Sequence, residues 1–349
     1  MQIEIDGRAI GPDQPPYVIA ELSANHNGSL ERALELIDAA VGTGASAIKI
    51  QTYRPDTITL NSERPEFRIT GGLWDGRTLY DLYEEAHTPW EWHSALFERA
   101  QARGITLFSS PFDATAVELL EELGAPAYKI ASFEAVDLPL IARVAATGKP
   151  MIISTGMADA DEIAEAIDTA RGNGCTDLVV LHCVSGYPAP PGDYNLRTLP
   201  DMAARFGTLV GLSDHTLDNT TAIASVALGA CVIEKHFTLD RSAAGPDDSF
   251  SLEPAEFGAL VTGAETAWKA LGQVDYGRKS SELGNATFRR SLYFLRDLDA
   301  GHRIGPEDVG SVRPGFGLPP KELPNVIGRT LTQAVEFASP VSWDVLDKP

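Results

Sequence analysis

Two short segments carry more chemistry per residue than the rest of the chain. Ser213-Asp214-His215 and Glu234-Lys235-His236 each close an apolar run, and each sets an imidazole two residues beyond a hydroxyl or a carboxylate. Two imidazoles side by side suit a divalent ion that polarises an oxygen or activates water. Glu21, Glu234 and Asp247 are the carboxylates that could join them, directly or through water. Lys49 and Lys129, with the hydroxyls of Ser110, Ser132, Ser154 and Ser213, make a second set. Ammonium charges and hydroxyl donors suit a phosphate or a carboxylate. Each serine alone reads equally well as a helix cap. The ring of serines with two lysines does not.

These residues need elements to bring them together. Apolar, β-branched runs recur at 17–21, 47–53, 106–110, 128–132, 151–155, 178–183, 209–213 and 232–237. Helical spacing fills several of the gaps, as at 30–41, 90–103, 114–123, 161–171 and 220–228. Such alternation predicts parallel strands buried on both faces. Eight units in about 250 residues predict an α/β fold, a (β/α)8 TIM barrel. An open doubly wound sheet would carry a glycine fingerprint after its first strand. The turn here reads SANHNG, which is not one. The runs end in Glu21; Lys49 and Gln51; Ser109 and Ser110; Lys129 and Ser132; Ser154; His182, Ser185 and Tyr187; then the two segments above. In a barrel those ends share the catalytic rim. His215 and His236 then sit on adjacent strands about 4.8 Å apart, within reach of one ion. His26, His87, His93 and His302 have weaker claims, as loop-ordering, surface or packing residues.

The barrel domain is expected over residues 1–274, opened by a hairpin around Asp6-Gly7 that would lie across its bottom. A long insertion, 54–88, follows the second strand. It is rich in Trp, Tyr and Gly, and a long loop on that side is usually functional. Trp74 and Tyr80 within it could line a sugar site, whereas Trp90 and Trp92, after Pro89, read as packing. Residues 275–287 read as a polar linker and 288–349 as a small, mostly β domain. Arg313 there is either a surface group or an anchor reaching into a barrel.

Composition narrows the partners. The 349 residues carry 28 basic and 49 acidic side chains, a formal charge of −21. Phosphate backbones and anionic membrane surfaces repel such a chain, so no nucleic acid and no membrane partner is expected. Cys175, Cys183 and Cys231 form no CxxC motif, which supports neither a disulfide framework nor a zinc site. With no signal-like start and no apolar stretch of membrane-spanning length, a cytoplasmic setting is expected.

ELSANHNG, AIKIQTY, FSSPFD, YKIAS, STGM, GLSDHT and EKHFTLD, in this order and spacing, resemble the sialic acid synthase family, the phosphoenolpyruvate-dependent nonulosonate synthases. The tail, with 312–315 and Ile327-Gly328-Arg329, resembles their antifreeze-like (SAF) domain. Within the family, the insertion GGLWDGRTLYDLYEEAHTPWEWH resembles that of pseudaminic acid synthases. Ser185 stands where the neuraminate branch has asparagine, and Asp248 where it has histidine after Gly-Pro-Asp.

The resemblance implies a transferase that condenses phosphoenolpyruvate with a 2,4-diacetamido-2,4,6-trideoxy-L-altrose, giving a nine-carbon 2-keto acid and phosphate. Lys49, Ser110, Lys129, Ser132, Ser154, Ser213 and Tyr187 would bind phosphoenolpyruvate. Arg313, Gln51 and Tyr80 would contact the sugar. His215 and His236 would hold Mn2+, with Mg2+ or Co2+ as other candidates. Glu21 or the metal would activate water, and Glu234 and Asp247 would assist the metal or protonate the new alkoxide. A homodimer is also implied, in which one subunit's small domain covers the other's barrel. The alternatives are a neuraminate or legionaminate synthase of the same mechanism, a Schiff-base aldolase using Lys129 or Lys49, and a sugar- or ice-binding protein.

Overall fold

The computed structural model describes residues 1–348 and divides into two compact units, Met1–Gly272 and a second from Gln273 onward. In the first, β1 (Ile3–Ile5) and β2 (Arg8–Ile10) form an antiparallel hairpin. Asp6 and Gly7 turn it with φ of 50° and 77°, the left-handed pair that a tight hairpin turn demands. Eight strands follow: β3 (Tyr17–Glu21), β4 (Ala47–Thr52), β5 (Thr106–Pro111), β6 (Tyr128–Ile130), β7 (Met151–Ser154), β8 (Leu178–Cys183), β9 (Leu209–Asp214) and β10 (Val232–His236). They close in the order β10-β3-β4-β5-β6-β7-β8-β9, all pairs parallel. The predicted TIM barrel is therefore present.

Its core has an inside and an outside, which is why the strands are apolar throughout. Outward residues such as Ile48, Ile50 and Ile233 pack on helices; the helix Leu30–Gly42 buries Ala33, Leu36, Ile37 and Ala40 along one stripe. Inward residues at the strand starts, among them Tyr17, Ile19, Phe108 and Ile152, cluster with Ile3, Ile5 and Ile10 of the hairpin. The hairpin thus plugs the barrel bottom, as expected. Each such aliphatic side chain contributes about 1.5–3 kcal/mol by its burial.

The insertion is structured. It holds a short helix Pro55–Ile58, a 3-10 turn Pro65–Phe67 and a helix Leu79–Ala86 capped by Thr78. The second unit pairs β11 (Ser291–Phe294) with antiparallel β12 (Val309–Val312) over a small core that includes Leu292, Phe294, Val326 and Val341. The stretch read as a linker contains an exposed 3-10 helix, Ser280–Phe288.

Candidate active site

The two-residue strand period decides which side chains enter the barrel. On β9 and β10, Ser213 lies opposite Glu234 and Asp214 opposite Lys235. Glu234 and His236 therefore point inward while Lys235 points outward. There its ammonium donates to Asp214 at 2.7 Å and to the Thr216 carbonyl at 2.6 Å. That pair joins two strands structurally and is not part of the rim.

Inside, four buried charges interlock. Lys49 contacts Glu21 at 2.6 Å and Glu234 at 3.8 Å, and Lys129 contacts Glu234 at 3.0 Å. Lys49 also donates to Ser110 Oγ at 3.3 Å, and Ser213 donates to Glu234 at 3.4 Å. Gln51 fixes the other side: its Nε2 donates to Glu21 at 2.9 Å and to Ser23 at 3.0 Å. Ser23 in turn donates to Asp247. Burial would depress Lys49, but the two carboxylates outweigh it and hold its pKa above the usual lysine value. Burial depresses Lys129, repulsion from Lys49 adds to it, and Glu234 offsets only part. Glu21 is pushed up by burial and by Glu234 against the pull of Lys49. Burial also raises Asp247, against the Ser23 hydrogen bond.

Hydroxyls gather around Gly156. Its N–H donates to Ser132 Oγ at 3.2 Å. A Cβ at Gly156 would lie 2.2 Å from Ser185 Oγ and 2.8 Å from Ser132 Oγ, so a larger residue would push these hydroxyls aside. The Oγ atoms of Ser154 and Ser185 are buried and without a hydrogen-bond partner. Unpaired buried hydroxyls are ready donors to an anion.

The imidazoles occupy the adjoining sector. The rings of His215 and His236 stand 5.4 Å apart, edge to face. His215 Nδ1 lies 2.8 Å from the Val184 carbonyl, which can only accept, so Nδ1 carries a proton and faces away from any ligand of Nε2. Burial works to lower the His215 pKa, but Cys183 and the Val184 carbonyl outweigh it and raise the value. His236 Nδ1 is buried and unpartnered. Burial, reinforced by His215 and the lysines, drives the His236 pKa well below the ordinary value, leaving it neutral. Two imidazoles, each able to present a nitrogen lone pair, fit a divalent ion. No three His, Cys, Asp or Glu side chains among the described residues are placed to hold one ion together. Glu21, Glu234 and Asp247 are engaged by lysines and Ser23, while Glu234 Oε2 is buried and unpartnered. The remaining coordination positions would fall to water and substrate.

Tyr187 packs 4.4 Å from the His215 ring and 6.2 Å from that of His236, with Phe250 5.3 Å away. It thus belongs to the imidazole sector. Trp74 reaches over from the insertion to lie 5.8 Å from Tyr187. Tyr80, expected at the sugar, makes no hydrogen bond or ring contact with the rim among the described residues. Tyr83, one helical turn on, packs against Tyr53 at 5.8 Å. Arg313 is exposed just beyond β12 in the second unit.

The weaker histidines are structural. His26 accepts from Gly28 N–H at 3.1 Å and meets Trp92 edge-on, and burial lowers its pKa to about 4. His93 bonds Thr52 at 2.8 Å, and His302 pairs with Asp308 at 2.8 Å.

The NeuB family model matches residues 36–276 and the SAF domain model residues 289–347. The chain belongs to the NeuB family. A pseudaminic acid synthase of Campylobacter jejuni (strain 81-176) is 46% identical over 325 residues, 93% of this chain and 95% of that protein. One of Helicobacter pylori is 41% identical over 336 residues, 96% and 99% of the two chains. The structure of N-acetylneuraminic acid synthetase from Leptospira borgpetersenii in complex with citrate superposes with a TM-score of 0.73 at 33% identity, over 82% of this chain and 95% of that one.

In this NeuB-family barrel, three rim groups lie outside what strand spacing reveals. Glu134, two residues past Ser132, has a buried, unpartnered Oε2, and burial raises its pKa to about 7. Ser23 links Gln51 to Asp247. Phe250 stands 5.0 Å from the His236 ring. For Glu134 the available signal is its position two residues after the YKIAS run. The Glu21 and Glu234 carboxylates, which hold the Lys49 pKa up, weigh against Lys49 as a Schiff-base nucleophile, which must be an unprotonated amine.

Proposed function

We propose that this chain is a pseudaminic acid synthase, condensing phosphoenolpyruvate with 2,4-diacetamido-2,4,6-trideoxy-L-altrose. The observation that carries the reading is the divided rim: lysines and unpaired hydroxyls in one sector, paired imidazoles in the next, carboxylates between. The similarity to pseudaminic acid synthases across the chain selects the branch.

In this mechanism Lys49, Lys129, Ser110, Ser132, Ser154 and Ser213 hold the phosphate and carboxylate of phosphoenolpyruvate. Their charges neutralise the anion and fix its C3 against the sugar. His215 and His236 would hold a divalent ion, Mn2+ or a similar one, which supplies polarisation of the aldehyde oxygen. The C2–C3 π pair of the enol ester forms the new bond to the aldehyde carbon, and the aldehyde oxygen takes a proton from the carboxyl group of Asp247, whose pKa burial raises. Water adds to C2 and gives up its proton to Glu21, which Gln51 orients. The tetrahedral centre then breaks its C2–O bond to phosphate, leaving the 2-keto acid and inorganic phosphate.

The test is phosphate release from phosphoenolpyruvate and Mn2+ with single sugars, with the product mass measured. Turnover of the L-altrose sugar is the expected result. Turnover only of its D-mannose counterpart or of N-acetylmannosamine would move the chain to another branch. No release with any of them would remove the synthase reading.

We also propose a homodimer in which the SAF domain of one subunit completes the partner's barrel with Arg313. Arg313→Ala and His236→Ala proteins would then complement each other when mixed as unfolded chains and refolded. Random pairing makes half of the dimers hybrid with one intact site each, so about a quarter of wild-type activity is expected. No recovery, or a monomer in sedimentation, would refute the arrangement.

A further inference from the structure

Among the described residues of the insertion, Trp74 is the side chain that crosses the barrel mouth. Its indole N–H donates to the Pro246 carbonyl at 3.2 Å, so a residue of the β4 insertion is tied to the loop after β10. An indole has a single polar atom. With that atom engaged, Trp74 offers only hydrocarbon to whatever lies beneath. Its ring is half-buried and continues an aromatic row through Tyr187 to Phe250. The row starts at the imidazoles and runs outward, with Trp74 one ring further out than Tyr187.

We infer that Trp74 is a specificity-determining residue whose indole face forms the apolar end wall of the sugar subsite. It selects an open-chain sugar whose far end is a methyl group over one ending in a hydroxymethyl group. This rests on the proposed condensation. With the aldehyde at His215 and His236, the sugar chain lies along the aromatic row and its terminal carbon meets Trp74. A methyl group gains from burial against the ring, whereas a hydroxymethyl group loses its water there and finds no partner, because the indole N–H is already used. An apolar surface of this kind discriminates by about 10- to 100-fold.

The experiment measures kcat/KM by phosphate release for the 6-deoxy diacetamido sugar and its 6-hydroxy counterpart, with wild type, Trp74→Ala and Trp74→Phe. Trp74→Phe keeps an aromatic face and loses the tie to Pro246, so it separates wall from strap. The expected result is wild-type preference for the 6-deoxy sugar of at least tenfold, largely kept in Trp74→Phe and reduced at least fivefold in Trp74→Ala. A preference unchanged in Trp74→Ala, with both sugars slowed alike, would make Trp74 a strap only and overturn the inference. If wild type turns over N-acetylmannosamine instead, the branch reading fails separately. The ratio is then measured on N-acetylmannosamine and its 6-deoxy analogue, where a drop in Trp74→Ala again supports the wall and an unchanged ratio again overturns it.

Discussion

His236→Ala is expected to lower turnover by on the order of a thousand-fold while leaving the barrel folded, because in the proposed mechanism the lost group helps hold the ion that would polarise the aldehyde, and it supports little else. The fold side follows from its contacts. His236 ends β10, its Nδ1 has no partner, and its neighbours are the rings of Phe250, Tyr187 and His215. Removal strands no buried polar group and leaves a cavity open toward the site, a loss of about 1–2 kcal/mol. His215→Ala should match it in activity and exceed it in destabilisation. It strips the Val184 carbonyl of its donor, which costs about 1–3 kcal/mol more. Metal content gives a readout independent of turnover. Purified wild type should hold a divalent ion by mass spectrometry, lose activity on chelation and regain it with Mn2+, whereas the variant should bind less ion and not recover. Full activity of chelated wild type would end the metal role of both residues.

The barrel is legible in the sequence because its strands are short and buried on both faces, so each reads as an unbroken apolar run closed by polar residues. The rim is legible for the same reason: alternation past the last apolar residue puts Lys49, Glu21, Ser213 and His236 inside without further information. Residues in loops have no such period. Ser23 and Glu134 enter the site through backbone turns that spacing does not encode. Tyr80 and Tyr83 show the other limit. The insertion is glycine-bearing and reads as a loop, so either tyrosine is admissible at the sugar. Once Leu79–Ala86 is a helix, Leu79, Leu82, Tyr83 and Ala86 form the 3.6-residue stripe, Leu82 is buried, and Tyr83 faces inward. The carboxylates raise a different difficulty. Sequence shows that Glu21, Glu234 and Asp247 share a rim, but only geometry shows the lysines and Ser23 that engage them.

Lys49→Met carries the largest expected effect on stability, and its pH dependence distinguishes electrostatics from packing. Lys49 and Glu21 are only 3% and 1% exposed and 2.6 Å apart. Removing the ammonium leaves the Glu21 carboxylate without its counter-charge, and breaking a buried pair in this way costs about 3–5 kcal/mol. Glu21 is already raised by burial in the wild type, and without Lys49 it rises further. A carboxyl whose folded pKa lies above its unfolded value of 4.5 contributes no deficit below that value, because both states hold the proton. The deficit grows as pH rises through the interval up to the folded pKa. Chemical denaturation should therefore find Lys49→Met far less stable than wild type at about pH 8 and much closer to it at about pH 5. Glu21→Gln placed on Lys49→Met should flatten that slope, since the amide does not titrate, and the pair should be non-additive. A loss equal at both pH values would mean that methionine merely packs badly, and the interlocked charges would not be what holds the rim. Activity separates the second role of Lys49. Even in the acidic range, where the fold recovers, the variant should keep a raised KM for phosphoenolpyruvate, because no proton on Glu21 replaces the cation that meets the substrate anion.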